Sequence, residues 1–193
     1  MNIKAIVLLS TIAVSALITP AFSQENIDLS KLRVFDSSDW RKPSYIEQGY
    51  GSLNTPVLVK DEFDGSKNIA VFTKNIRSDY DGTLVINWSS KSIGIYSYVP
   101  SMEDWMTGVV SISAKNQPDT VTILIGGKTF ELEGKRGNFK VTQELAYALK
   151  TAPAEKITLK LEFADSNAPV LAYVVNHTIE SLKIVYRDAK SPS

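Results

Sequence analysis

Hydrophobic and polar residues alternate most regularly in the middle of the chain, over 119–163. Apolar residues alternate with polar or more exposed positions over 120–125 and again over 128–133. Such alternation places successive side chains on opposite faces of a strand. Gly126-Gly127 separates the two runs, and glycines readily adopt the positive φ of tight hairpin turns. The pattern therefore predicts a β-hairpin with one buried face.

The same stretch continues with a turn, a short strand, a helix and a return strand. Residues 134–137 have turn composition, and 139–141 predict a short strand. The apolar spacing then becomes helical and predicts a helix over about 142–151, with Thr142 as its N-terminal cap. Alternation resumes over 157–163 and predicts a strand that completes the unit.

Other parts of the chain also carry strand signals. Asp64-Gly65 and Asp81-Gly82 mark turns between alternating runs. On the same face of one of these runs lie Leu84, Ile86 and Trp88, so Trp88 is predicted to be in the core. The further predicted strands are 57–63, 69–73, 84–88, 93–99 and 109–114.

Two segments near the C-terminus complete the predicted elements. The run over 170–175 is continuously apolar, which is typical of a strand buried on both faces. Apolar residues at helical spacing over 178–186 predict a second short helix, with Thr178 as a possible cap. The fold class is therefore predicted to be mainly β to α+β. We expect an antiparallel sandwich or a strongly bent sheet of about nine strands with two short helices, about 142–151 and 178–186.

The N-terminal end has the pattern of a secretory signal peptide, over residues 1–23. Lys4 gives a positive start, 5–18 is almost wholly apolar, and 20–23 ends in small residues. No second apolar run approaches the roughly twenty residues of a membrane-spanning helix. We therefore expect a secreted or periplasmic protein with no stable membrane span after the signal peptide is removed.

The residues after the signal peptide divide into three parts. Residues 24–55 are rich in Ser, Asp, Asn and Gly and predict an irregular N-terminal arm, within which 29–35 could form a short helix or an edge strand. We expect this arm to lie over the sheet. Residues 56–188 are predicted to form a single β-rich globular domain, and 189–193 a frayed tail.

Composition narrows the possible chemistry. The chain contains 21 basic and 21 acidic residues, so it has no excess positive charge that would indicate nucleic acid as a partner. It contains no cysteine, which excludes disulfides, thiol catalysis and thiolate metal sites. A signal peptide without disulfides favours a bacterial envelope protein. The composition is thus that of an exported domain stabilised by its core alone.

No motif identifies a catalytic residue, a metal site or a cofactor. His177 is the only histidine, and its neighbours are typical of a strand-to-helix turn. The carboxylates over 61–65 and 79–82 lack the full calcium-loop register and are explained by turn chemistry. Gly126 to Thr129 resembles the end of a phosphate-binding loop, but a hairpin and not a helix is predicted there. We predict no catalytic residue, no metal site and no cofactor.

Aromatic residues provide the candidate binding site. Tyr96 and Tyr98 are predicted to lie on the strand face opposite Ile93 and Ile95. Aromatic rings with a polar handle are common at binding surfaces. Alternatively, the N-terminal arm covers these tyrosines and forms a second small core. The predicted binding residues are Tyr96, Tyr98, Trp105, Tyr45 and Tyr50.

These patterns favour a non-enzymatic function. We expect an exported binding or interaction domain of the bacterial cell envelope, which recognises an envelope protein or a glycan through aromatic residues and loops. One alternative is a small secreted hydrolase that acts on glycans with a pair of carboxylates. A second alternative is a structural module of an envelope assembly. The sequence does not fix the oligomeric state.

Overall fold

The computed structural model describes residues 28–36, 54–76, 83–98, 117–154, 156–164 and 168–192. Its helices in these ranges are a 3-10 turn, Leu29–Lys31, and two α-helices, α1 (Gln143–Lys150) and α2 (Asn176–Val185). The strands are β1 (Val34–Asp36), β2 (Pro56–Lys60), β3 (Lys67–Ile76), β4 (Thr83–Ser89), β5 (Ser92–Tyr98), β6 (Thr120–Ile125), β7 (Lys128–Lys135), β8 (Asn138–Lys140), β9 (Ile157–Glu162) and β10 (Val170–Val174).

The described strands form one mixed sheet in the order β1-β2-β3-β4-β5-β8-β7-β6-β9-β10. Strands β1 and β2 are parallel, and the other neighbouring pairs are antiparallel. Within this set of strands, β1 and β10 are the two ends of the sheet, which does not close into a barrel. The architecture confirms the predicted fold class, a mainly β protein with two short helices, and is consistent with a sandwich or a bent sheet. The parallel β1–β2 pair makes the sheet mixed where an antiparallel one was predicted.

Strand β7 connects the two halves of the sheet. It pairs with β6 along most of its length and with β8 at Gly134 and Lys135. Position 134 requires glycine, because the Cβ atom of any other residue would overlap the ring of Phe139. The close approach lets the short strand β8 lie against the end of β7. One half is then β1–β5 with β8, and the other is β6, β7, β9 and β10.

A single main core contains side chains from both halves of the sheet. Trp88 of β4 is fully buried, as predicted, and its indole N–H donates to the Thr73 hydroxyl over 3.2 Å. Helix α1 contributes Leu145 and Leu149, and α2 contributes a buried stripe that includes Leu182. Since all these side chains belong to one cluster, the sheet is bent around a common interior.

A second, smaller cluster lies on the other face of the first half of the sheet. Phe35, Val57, Phe72 and Val85 are buried there, and Val59 packs against them. The Phe35 and Phe72 rings meet edge to face, with centroids 6.5 Å apart. Phe35 comes from the segment that was predicted to be an irregular arm lying over the sheet. Residues 34–36 of that segment instead pair with β2 and extend the sheet. The sequence predicted either a short helix or an edge strand over 29–35. The structure has a 3-10 turn, Leu29–Lys31, followed by the strand β1.

The helix predictions are confirmed with small changes at the boundaries. Helix α1 begins after Thr142, whose hydroxyl accepts a hydrogen bond from the Leu145 N–H over 3.2 Å. Helix α2 begins two residues earlier than predicted, with Val175 at the cap position and no side-chain cap. Thr178 is therefore not a cap. Its hydroxyl instead donates to Asn54 Oδ1 over 3.0 Å. None of the described helices has the length and apolarity to span a bilayer.

Two strand predictions require correction, and others fall outside the described residues. Strand β2 ends at Lys60 and not near residue 63, because Asp61 starts a hydrogen-bonded turn. Strand β10 is buried on one face only, as β6 and β9 are, because only the inner face of this half of the sheet packs against the main core. Its continuous apolar run led to the wrong expectation of burial on both faces. The predicted strand over 109–114 and the Asp81-Gly82 turn lie outside the described ranges.

Candidate functional site

The predicted aromatic site is described only in part. Tyr96 is half-buried, and its ring lies over Gly94, where a Cβ atom would come within 2.9 Å of the hydroxyl. That hydroxyl is 3.5 Å from Asn138 Oδ1. The backbone of Tyr98 pairs with Thr83. Three further members of the predicted set lie outside the described residues: Tyr45, Tyr50 and Trp105.

The surroundings of Tyr96 contain the second hydrophobic cluster. Tyr96 pairs across the ladder with Val85, which belongs to that cluster and is buried. The sheet face of Tyr96 is thus in part a small core, and the two readings of the tyrosines, a binding surface or a covered core, both remain predictions. Because three of the five predicted residues lie outside the described ranges, their grouping into one site stays a prediction.

The acidic loop between β2 and β3 is organised by its own carboxylates. Asp61 Oδ1 accepts hydrogen bonds from the Phe63 N–H over 2.8 Å and the Asp64 N–H over 3.4 Å. Asp64 Oδ1 accepts one from the Ser66 N–H over 2.7 Å, and bonding to Ser66 lowers the pKa of Asp64. Gly65 takes the positive φ of the turn, +70°. These carboxylates therefore stabilise the turn itself.

His177 lies exposed in the first turn of α2. The nearby Ser181 hydroxyl donates to the carbonyl oxygens of His177, over 3.2 Å, and Asn54, over 2.7 Å. Ser181 is buried, and both of these bonds hold backbone in place. Among the described residues no group of three or more His, Cys, Asp or Glu side chains could hold a metal ion. The observed role of this region is to attach α2 to the start of β2.

A surface that the sequence did not single out is the outer face of β6, β9 and β10. The register places Leu124 beside Thr158, and Thr158 beside Tyr173, in one row across the three strands. Leu171 lies beside Lys160 in the adjacent row. We name this surface the β10 face and define it by four exposed side chains: Leu124, Leu171, Tyr173 and Val175.

The β10 face exposes an unusual amount of apolar surface. Its four side chains are between 38% and 50% exposed: Leu124 41%, Leu171 39%, Tyr173 38% and Val175 50%. Scattered apolar residues are common on protein surfaces, but a contiguous group is typical of an interaction site. Leu171, Tyr173 and Val175 alternate along β10 and its end on one side, and Leu124 lies on the same side of β6, with Thr158 of β9 between it and Tyr173.

Charged side chains border the β10 face. Lys156 Nζ lies 4.3 Å from the centre of the Tyr173 ring, within the range of a cation–π interaction. Lys160 forms an ion pair with Glu162 over 2.6 Å. That hydrogen bond and the charges of Glu162 and Glu131 raise the pKa of Lys160, which keeps its ammonium group protonated. The face thus has an apolar centre with a charged border, as many protein interfaces do.

Among the described strands β10 ends the sheet, and its own residues carry none of the features that usually protect a terminal strand. Natural sheets protect their edges with charged residues, proline or bulges, because an uncovered edge can pair with another strand. The five residues of β10 are Val-Leu-Ala-Tyr-Val, with neither charge nor proline. Within the described part of the chain, β9 is the only strand that pairs with β10.

A cavity of about 420 Å³ lies between the 3-10 turn, the β2–β3 hairpin and the end of α2. Its apolar walls include Leu58, Ile69 and Val185. Arg187 and Asp188 lie at its border and form an ion pair with 3.6 Å between Nε and Oδ2. Polar residues also line it: Ser30, Lys67, Asn68 and Ser90. Among the described residues this lining holds no metal-binding cluster, and we take the β10 face as the stronger candidate.

No protein-family model matches the chain, no curated protein matches its sequence, and no solved structure matches its fold. The candidate function is therefore argued from the geometry of the described residues. Sequence alternation placed Leu124 on the polar face of β6, which was one available signal for the β10 face. The neighbouring positions of Leu124 and Tyr173 depend on strand register, which alternation does not give.

Proposed function

We propose that this chain is an exported, non-enzymatic interaction domain of the bacterial cell envelope, and that it binds a partner protein through the β10 face. The observation that carries the proposal is the set of four large apolar side chains exposed on one sheet face, three of them at alternate positions along β10 and its end. Covering such a group removes apolar surface from water, which is the main favourable term in protein association.

A protein partner fits this surface better than a glycan does. Leu171, Leu124 and Val175 offer no side-chain hydrogen-bond donors or acceptors for sugar hydroxyls. Tyr173 is the one aromatic ring in the group, and Lys156 already occupies one side of it. Among the described strands β10 ends the sheet, and pairing of an extended segment with a terminal strand is a recurring mode of protein recognition.

The compartment in this proposal rests on the signal-peptide pattern of residues 1–23. N-terminal sequencing of the protein from a fractionated native host tests it directly. We expect the mature chain to begin at Gln24 and to be recovered from the periplasm or the medium. Recovery of the uncleaved chain from the cytosol would contradict export.

In-cell photo-cross-linking tests the binding surface. We would replace Tyr173 with p-benzoylphenylalanine in the native host and use Lys140, an exposed residue of β8, as the matched control position. We expect Tyr173 to give a discrete protein adduct, which mass spectrometry identifies, and Lys140 to give none. Adding Leu124→Lys should weaken the Tyr173 adduct, because it places a charge inside the apolar group.

Three results would contradict the proposal in different ways. A folded, exported protein without any adduct at Tyr173 would show that the β10 face binds no protein in the cell. Specific retention of a soluble glycan, abolished by Tyr173→Ala, would replace the protein partner with a sugar. Turnover of a glycan substrate by the purified protein would favour the hydrolase alternative.

A further inference from the structure

We propose that Phe63, at the tip of the turn between β2 and β3, inserts into the cavity of a second copy of this chain, and that the second copy makes the same contact in return. The cavity is the one of about 420 Å³ between the 3-10 turn, the β2–β3 hairpin and the end of α2. This inference goes beyond the proposed function, because neither the turn nor the cavity lining contains a residue of the β10 face. Three observations support it: the exposure of Phe63, the hydrogen bonds that fix its turn, and the size and charge of the cavity.

Phe63 is the most exposed large apolar side chain in the described part of the chain. It is 97% exposed, whereas the other exposed ones lie between 38% and 50%. Single exposed apolar residues are common on protein surfaces. A phenylalanine ring that is almost wholly in water differs in degree, because nearly all of its apolar area is available for burial. Aromatic side chains are enriched at the centre of protein interfaces, so Phe63 has the properties of an interface anchor.

The turn that carries Phe63 is held by its own hydrogen bonds. Asp61 Oδ1 accepts from the Phe63 N–H over 2.8 Å, and the Asp61 carbonyl oxygen accepts from the Gly65 N–H over 3.0 Å. The Ser66 N–H donates to Asp64 Oδ1 over 2.7 Å, and the Ser66 carbonyl oxygen accepts from the Asp61 N–H over 2.8 Å. A segment that is already fixed in its binding conformation loses little conformational entropy on association. The backbone at Phe63 is therefore ordered before a partner binds.

The cavity is large and apolar enough to receive a phenyl ring. Four apolar residues line it: Leu29, Leu58, Ile69 and Val185. An apolar cavity of about 150 Å³ in another protein binds benzene, so a volume of about 420 Å³ exceeds what the ring needs. Phe63 is not one of the lining residues, and at 97% exposure it does not fill the cavity of its own chain. The space is therefore open to a ring from outside.

The charges of the turn and of the cavity are complementary. Asp64, directly after Phe63, is ionised at neutral pH, because hydrogen bonds within the turn lower the pKa of its carboxyl group. In the cavity lining, Lys67 and Arg187 are positive and Asp188 is negative, so the lining has a net positive charge. Complementary potentials favour the approach of two surfaces and fix their orientation. The acidic turn of one copy is therefore attracted to the cavity of another.

The turn and the cavity are neighbours on the surface, which permits a reciprocal contact. The turn over 61–66 connects β2 and β3, and residues of both strands line the cavity: Leu58, Lys67, Asn68 and Ile69. In a twofold dimer each contact between two residues occurs twice. An axis that passes between the turn and the cavity lets each copy insert its own Phe63 and receive the other one. Two anchors then contribute to one interface.

Sedimentation analysis of the purified protein, as processed by its host, tests the inference. We expect a reversible dimer in the wild type and at least about a thirtyfold weaker dimer in Phe63→Asp, as for the loss of an interface hot spot. Lys135→Gln is the matched control, because it makes the net charge more negative by one, as Phe63→Asp does. Lys135 is exposed on β7, four strands from β3, and belongs to neither the cavity lining nor the β10 face. The control should keep the dimer, and circular dichroism should show that both variants fold.

Photo-cross-linking of the purified protein tests where Phe63 binds. We would place p-benzoylphenylalanine at position 63, which keeps an aromatic anchor, and mix this protein with an equal amount of isotope-labelled wild type. After irradiation we expect adducts whose labelled peptide contains Leu58, Ile69 or Val185. The isotope separates contacts between copies from contacts within one chain. The same probe at Lys135 should give no adduct with those peptides.

The outcomes separate this inference from the proposed function. A wild type that stays monomeric at millimolar concentration, or a Phe63→Asp variant that dimerises as tightly as the wild type, overturns the inference. Adducts confined to one chain would show that the turn closes its own cavity, and adducts elsewhere on the second copy would place Phe63 at another site. Both results also overturn it. The Tyr173 adduct with a partner protein in the cell does not depend on Phe63, so the proposed function stands or falls separately.

Discussion

At the scale of single residues, Tyr186 shows how the burial of one side chain makes the stability of the protein depend on pH. It follows α2, is almost fully buried, and its hydroxyl donates to the Ser89 carbonyl oxygen over 2.9 Å. Burial raises the pKa of Tyr186 above its ordinary value of 10.0. The folded protein therefore holds the neutral phenol at a pH where the unfolded chain would ionise it.

We predict that the wild type loses stability above about pH 10, the ordinary pKa of tyrosine in an unfolded chain. Because the folded pKa is raised, this contribution is complete below pH 10 and is lost as the pH rises toward the folded pKa. The loss from one such group is about 1.4 kcal/mol per pH unit. Urea unfolding at several pH values from 7 to 11 measures it.

Tyr186→Phe is the control for this prediction. At pH 7 the variant should be less stable by about 1 kcal/mol, because the Ser89 carbonyl oxygen loses its donor. Its stability should then fall less steeply than that of the wild type above pH 10. Parallel curves for the two proteins would contradict a buried, neutral Tyr186.

Asn54 is the second residue with a clear structural task. Its φ is +64°, and its side-chain and backbone oxygens accept hydrogen bonds from the hydroxyls of Thr178 and Ser181. We predict that Asn54→Gly destabilises the protein by about 1 kcal/mol, because it keeps the backbone conformation but removes one acceptor. Asn54→Ala should cost about 1 kcal/mol more, since alanine resists positive φ.

Chemical denaturation of both variants checks this prediction. Thr178→Val is a useful comparison, because it removes the donor of the same side-chain bond and leaves the Asn54 backbone unchanged. Its cost should resemble that of Asn54→Gly more than that of Asn54→Ala. Equal stability of the glycine and alanine variants would show that the positive φ of Asn54 is unimportant.

At the scale of elements, two glycines within strands differ in what surrounds them. A Cβ at Gly134 would overlap the Phe139 ring and lie 2.8 Å from the Asn138 carbonyl oxygen. A Cβ at Gly94 would meet mainly the outer end of the Tyr96 ring. We predict that Gly134→Ala costs about 2–3 kcal/mol, as overpacking in a core does. Gly94→Ala should cost less than about 1 kcal/mol, since the Tyr96 ring can move.

Thermal unfolding of these two variants gives the comparison. Neither glycine has a positive φ, so the difference between them reflects steric contact and not backbone strain. If Gly94→Ala were as destabilising as Gly134→Ala, the close contact between Gly134 of β7 and Phe139 of β8 would not be a special steric requirement.

Most elements could be predicted because one sheet face is buried and the other is not. Burial alternates along β6 and β9, and their inner residues, such as Ile123 and Leu159, are fully buried. Strand β10 misled the prediction because its exposed residues, Leu171 and Tyr173, are as apolar as its buried ones. An apolar residue is compatible with either face, so a continuous run cannot reveal that the strand ends a sheet.

At the scale of the whole molecule, the first described strand, β1, shows whether residues 34–36 belong to the folded domain. Phe35 of β1 is buried against Phe72, whereas its neighbour Val34 is 47% exposed. We predict that Phe35→Ala lowers the free energy of unfolding by about 3 kcal/mol, as for other buried phenylalanines. Val34→Ala should change it by no more than about 0.5 kcal/mol.

Urea denaturation of the two variants measures this difference. A Phe35→Ala protein as stable as Val34→Ala would show that β1 is an accessory to the domain and not part of its core. Retention of a single transition in both variants would show that the remaining sheet still unfolds as one unit.

The candidate site was less predictable than the fold. Sequence reasoning directed attention to Tyr96 and Tyr98, because aromatic residues opposite a buried face are visible in the pattern. The β10 face depends on β6 and β10 flanking β9, although β6 and β10 are more than forty residues apart in the chain. Strand neighbours and sheet ends are set by the whole topology, which local periodicity does not contain.

Strand β7 joins the two halves of the sheet, because it pairs with β6 on one side and with β8 on the other. A pulling force on either end of the polypeptide would therefore act on the pairing between β7 and β8, which joins the two halves. Separating the two halves would break the hydrogen bonds between β7 and β8. A translocating unfoldase should therefore meet one large mechanical barrier, after which the rest of the domain unfolds quickly. Resistance to mechanical unfolding would then depend on the lifetime of the hydrogen bonds between β7 and β8.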